Sequence, residues 1–104
     1  MTEVQKITFD EHGQDFTEWY VRGGFVIDCQ PHQGRVWVGA KLAAPVTEAG
    51  QEIRIIPTRL NQETVLNYPA ASVEVLNEEQ AAEVENFGRR WAEMKGVSPA
   101  EWGL

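Results

Sequence analysis

Long hydrophobic runs are absent from this chain. Apolar residues never continue for more than a few positions, far short of the roughly 20 that cross a bilayer. The opening residues Met1-Thr2-Glu3-Val4-Gln5-Lys6 lack the basic start and apolar centre of a signal peptide, so nothing here directs export. Cysteine is nearly absent too. Its single occurrence, Cys29, excludes an internal disulfide, and no Asn-x-Ser/Thr glycosylation site occurs. A reducing cytoplasm is therefore the expected location. Positive charge is scarce, with 9 Lys and Arg against 16 Asp and Glu, for a net charge of −7. General attraction to nucleic acid or to anionic membranes depends on accumulated Lys and Arg, and this balance disfavours it.

The shortage of positive charge is uneven. Residues 1–34 hold two basic and six acidic groups, residues 35–60 four and two, and residues 61–104 three and eight. Only the middle segment could present a basic face. Phosphate-binding loops, dinucleotide glycine patterns, Gly-x-Ser-x-Gly elbows and His-Glu-x-x-His helices are all missing, and there is no internal repeat. The expectation is no catalytic residue, no cofactor and no resident metal.

What remains is an ordinary globular composition, 42% hydrophobic and 24% charged over 104 residues, which suits one compact domain. Val4 to Phe9 alternates as a strand does. Asp15–Val21 and Phe25–Cys29 are rich in aromatic and β-branched residues and flank Gly23-Gly24, a hairpin signal. Pro31 and Gln33-Gly34 mark a turn, and Arg35–Leu42 reads as a third strand with Val36, Val38 and Ala40 on one face and Trp37 on the other. Glu52–Ile56 and Ser72–Leu76 are further strands, with Thr64–Leu66 a short candidate. Asn77-Glu78-Glu79-Gln80 is a capping box opening a helix that ends near Lys95-Gly96, with Val84, Phe87, Trp91 and Met94 as its apolar stripe. Ser98-Pro99-Ala100-Glu101 predicts a terminal helical turn around Trp102. The fold class is α+β: an antiparallel twisted sheet of about four to six strands, led by an N-terminal meander and packed on one C-terminal helix.

Cys29 and His32 share the spacing of half a zinc site or of a thiolate–imidazole pair. Only His12 could add to them, and a structural zinc needs about four ligands. His12 lies in the acidic stretch Asp10–Asp15, which does not match a calcium loop and suits a solvated turn. The aromatic residues carry more information. Trp19, Tyr20 and Trp37 fall on the meander among Arg22, Arg35 and Lys41, and these six form the expected partner surface. Adjacent Trp19 and Tyr20 must face opposite sides of their strand. The leading functional reading is a small acidic accessory or protein-interaction domain without catalytic activity, acting on a protein partner or as a homodimer. One version has the carboxylates of residues 78–85 mimic nucleic acid in a partner's basic groove. The alternatives are a single-stranded nucleic-acid binder using the sheet face, or a small-ligand binder or enzyme with a pocket between sheet and helix.

Overall fold

The computed structural model describes residues 3–10, 16–31, 36–58, 62–66 and 69–104. Within them, seven strands form one antiparallel sheet: β1 (Val4–Thr8), β2 (Glu18–Arg22), β3 (Phe25–Gln30), β4 (Lys41–Leu42), β5 (Arg54–Ile56), β6 (Thr64–Val65) and β7 (Ser72–Val75). A single α-helix, α1 (Glu78–Met94), and a 3-10 turn (Pro99–Trp102) follow. The strand order is β6-β5-β4-β3-β2-β1-β7, so the last strand returns beside the first and closes one edge of the meander. The α+β class holds, with one strand more than the upper expectation. No described helix is long and apolar enough to cross a membrane.

The β2–β3 hairpin turns on Gly23 and Gly24, whose φ angles of 58° and 84° belong to the left-handed region that glycine enters without a Cβ penalty. Two residues beyond this turn the ladder slips. Tyr20 pairs with Asp28 but Val21 pairs with Val26, leaving Ile27 as the extra residue of a bulge. The slip decides which side chains go where. Val26 and Cys29 join Ile7, Trp19 and Val21 on the inner face, whereas Ile27 and Asp28 both turn toward α1. Strict alternation along Phe25–Cys29 would put Phe25, Ile27 and Cys29 on one face; the bulge turns Ile27 to the other.

The sheet curls around its inner face. Phe9, Phe16, Trp19 and Trp37 form an aromatic group there, with Phe16 and Trp19 centroids 4.7 Å apart and Trp19 and Trp37 5.7 Å apart. Val38, Ala40, Ile53, Ile55 and Trp102 complete the same core. The third expected strand does not form over its full length. Residues 36–39 make a helical turn closed by Ala40 N–H donating to Trp37 C=O at 3.1 Å, and only Lys41 and Leu42 are extended. Gly39 explains the break. Its φ is 95°, and a Cβ there would stand 2.7 Å from Trp102 Cζ2, so the chain bends where the terminal indole seats. As a result Val36 points to solvent at 59% exposure while Trp37 packs inward, the reverse of the alternating expectation.

Helix α1 begins as its capping box requires: Gln80 N–H donates to Asn77 Oδ1 at 2.9 Å, and Asn77 N–H to Gln80 Oε1 at 3.4 Å. Its buried side is another matter. Val84, Gly88 and Ala92 face the sheet, while Phe87 is 38% and Met94 75% exposed and Trp91 is half-buried. The stripe is rotated toward smaller residues because the helix sits close on β3. A Cβ on Gly88 would meet Ile27 Cβ and Leu104 Cδ1, each at 3.0 Å. The C-terminal end is pinned by Lys95 Nζ donating to Val38 C=O at 3.0 Å, and by Arg22 Nη1 donating to Gly103 C=O.

This packing separates two substitutions that helix propensity and hydrophobicity alone would rank otherwise. Gly88→Leu puts a strong helix former at a site with no room and is expected to cost about 1–3 kcal/mol or more. Met94→Ala removes a large apolar side chain from solvent and should change stability by no more than about 0.5 kcal/mol. Denaturant unfolding of both variants checks the pair.

Candidate functional site

The bulge, the close helix and the returning strand β7 leave a groove of about 270 Å³ between α1 and the outer face of the sheet. Its floor is Lys6 of β1, Tyr20 of β2 and Asp28 of β3. One wall is Glu74 of β7, and the other is formed by Glu83 and Phe87 of α1. Strand register brings the floor together: Lys6 is paired with both Tyr20 and Glu74, and Tyr20 with Asp28. Residues paired across antiparallel strands share a face, so this row of polar groups is fixed by the ladder itself.

Glu18 organises one end of the row. Its Oε1 lies 3.5 Å from Lys6 Nζ, and its Oε2 accepts the Tyr20 phenol at 2.8 Å. Asp28, only 3% exposed, accepts from Trp91 Nε1 at 2.9 Å, tying the half-buried indole of the helix to the strand. Buried carboxylates are costly unless hydrogen-bonded, and the Trp91 indole provides that contact. Lys6 is thus committed to Glu18. Among the described residues Glu74 and Glu83 have no cation within ion-pair distance. The groove carries surplus negative charge above an aromatic rim, where Phe87 lies beneath the Arg90 guanidinium at 5.7 Å.

Tyr20 records that field. Burial raises its pKa well above the usual tyrosine value, and the hydrogen bond to Glu18 and the negative charges of Glu18, Asp28 and Glu74 raise it further. The phenol is a donor in this site and not a base. A groove of this kind attracts an ammonium or guanidinium group, offers its stem an aromatic edge, and repels phosphate.

The residues expected to form a partner surface are not brought together. Trp19 is fully buried, and Trp37 packs beside it in the inner core. Tyr20 alone faces the groove. Arg22 is held by Glu85, at 3.5 Å from its Nε, and by the Gly103 carbonyl. Lys41 is exposed near the Phe25 ring, 5.8 Å from its centroid, and Arg35 lies outside the described residues. Cys29 is buried in the core, its thiol 3.7 Å from the Pro31 carbonyl, as expected of a structural cysteine. His12 and His32 lie outside the described residues. Sequence reasoning missed Lys6, Asp28, Glu74 and Phe87 as a set. The one available signal was Asp28, a lone carboxylate inside the apolar run Phe25–Cys29.

No protein-family model, curated protein or solved structure matches this chain.

The raised pKa of Tyr20 has a measurable sign. Because the folded-state value stands above the unfolded value of about 10, the neutral phenol's contribution to stability is complete below about pH 10 and is lost as the pH rises beyond it. In a spectroscopic titration of the folded protein, the tyrosinate band removed by Tyr20→Phe is expected to appear at higher pH than that of free tyrosine. A band at the ordinary tyrosine pKa that vanishes in Tyr20→Phe would contradict this electrostatic picture.

Proposed function

We propose that this chain is a non-catalytic protein-interaction module that takes a basic segment of a partner protein into the groove between α1 and the sheet. The observation that carries the reading is the charge of that groove: Asp28, Glu74 and Glu83 line it, and its one ammonium group, on Lys6, is already paired with Glu18. The partner is a different protein, because two copies of a chain with net charge −7 repel each other. The single buried cysteine supports placing this activity in the cytoplasm. The same charge argues against the nucleic-acid alternative, and two of its three rings, Trp19 and Trp37, lie in the inner core.

The test is titration of the protein with oligolysine and with a single-stranded oligonucleotide over a range of salt concentrations. The expected result is binding of oligolysine alone, weakening as salt rises. Glu74→Gln and Glu83→Gln should each reduce affinity about two- to fivefold, as removing an exposed charge pair does. Binding of the oligonucleotide in place of the peptide would overturn the proposal.

A further inference from the structure

Strand β7 has a neighbour on one side only. It pairs with β1, and among the described residues nothing pairs with its other edge. The phase of the ladder shows which backbone groups are left over. Leu76 N–H donates to Val4 C=O, so Leu76, and by alternation Glu74, turn their backbone polar groups toward β1. Val73 and Val75 turn theirs outward, and Val75 is itself 52% exposed. An edge that projects free N–H and C=O groups is a template for another strand unless bulges, prolines or outward charges blunt it. The run Ser72-Val73-Glu74-Val75 contains neither proline nor bulge, and its one charge belongs to the wall of the groove.

The two faces of this edge differ in chemistry. Val73 and Val75 lie on the inner side of the sheet, whereas Glu74 lies on the groove side with Glu83 across from it. Beyond the end of the strand an apolar crevice of about 650 Å³ opens between Val4, Val75, Leu76 and Ala81, with Glu3 and Glu78 at its rim. A strand laid along β7 would alternate in the same way, one side chain toward the valines and the next toward the carboxylates.

Resting on the proposed basic-partner reading, the geometry points to strand addition: an extended segment of the partner protein, alternating β-branched and basic residues, pairs with the free edge of β7. Its backbone meets the N–H and C=O groups of Val73 and Val75. Its apolar residues continue the inner face, and its Lys or Arg residues reach across the mouth of the groove to Glu74 and Glu83. A second copy of β7 is a poorer occupant, because it would bring another Glu74 and another acidic groove to the same junction.

The probe is a dye-labelled peptide of about eight residues alternating lysine and valine, compared with one of the same composition in which the lysines and valines are grouped. The alternating peptide is expected to bind the full chain, and the amides of Val73 and Val75 should gain protection from hydrogen exchange when it does. Val75→Pro removes an outward N–H that the fold itself does not use, and should weaken binding about tenfold or more. Val75→Thr keeps that N–H and should stay within about threefold of the parent. Should Val75→Pro fail to fold, the exchange measurement on the parent chain still decides. Equal binding of the two peptides, unchanged protection at Val73 and Val75, or a dimer that Val75→Pro dissolves would each overturn strand addition. Binding that Glu74→Gln and Glu83→Gln weaken but Val75→Pro leaves intact would overturn it while sparing the groove. No saturable binding up to about 1 mM would end both.

Discussion

The approach of α1 to β3 sets the terms for everything around it. At their closest point the helix presents Gly88, and the strand answers with Ile27, a residue turned toward the helix only because the ladder slips by one position between Tyr20 and Val21. Interiors are packed too tightly to absorb an extra methylene without displacement, so a glycine facing a bulged isoleucine fixes both the depth and the direction of the helix. Asp28, the residue after Ile27 and the partner of Tyr20, faces the helix beside it, and the Trp91 indole N–H reaches its carboxylate. With the helix drawn down on β3, its Glu83 and Phe87 stand over β1 and β7, and the groove is the space that remains below them.

The two faces of the sheet divide the work. The inner face is dry and aromatic, built from Phe9, Phe16, Trp19 and Trp37 with the aliphatic residues of β3 to β5, and it supplies most of the apolar burial. The outer face can therefore keep ionisable groups. Its charges are graded: Lys6 and the Tyr20 phenol converge on Glu18, Asp28 is hydrogen-bonded to the helix, and Glu74 and Glu83 remain at the mouth. On the proposed reading, a basic partner would meet the surplus charge at the entrance, where desolvation costs are lowest.

Local chemistry was legible in the amino-acid sequence. The Gly23-Gly24 hairpin and the Asn77–Gln80 capping box depend on neighbours two or three positions apart, and both form as read. Features set by distant partners were not legible. The stripe Val84, Phe87, Trp91 and Met94 ranks residues by hydrophobicity, whereas the sheet selected Gly88 and Ala92 by size. Arg35–Leu42 has the composition of a strand, but Trp102, from the far end of the chain, occupies the place where Gly39 must bend. Strand β4 is only two residues long, too short for periodicity to mark its bounds, whereas the equally short β6 falls within the Thr64–Leu66 candidate. The groove drew on β1, β2, β3, β7 and α1, and no segment of the sequence holds more than a few of its residues.

The placement of the four tryptophans gives the chain a division of optical labour. Trp19, Trp37 and Trp102 belong to the inner core, and the first two lie within 6 Å of each other, their ring centroids 5.7 Å apart. Trp91 packs half-buried against the edge of the same core, and its indole nitrogen donates to the Asp28 carboxylate that floors the groove. All four indoles are therefore expected to report the integrity of the fold, and Trp91, through Asp28, the charge of the groove as well. Replacing that one indole therefore separates the groove's share of the emission from the fold's.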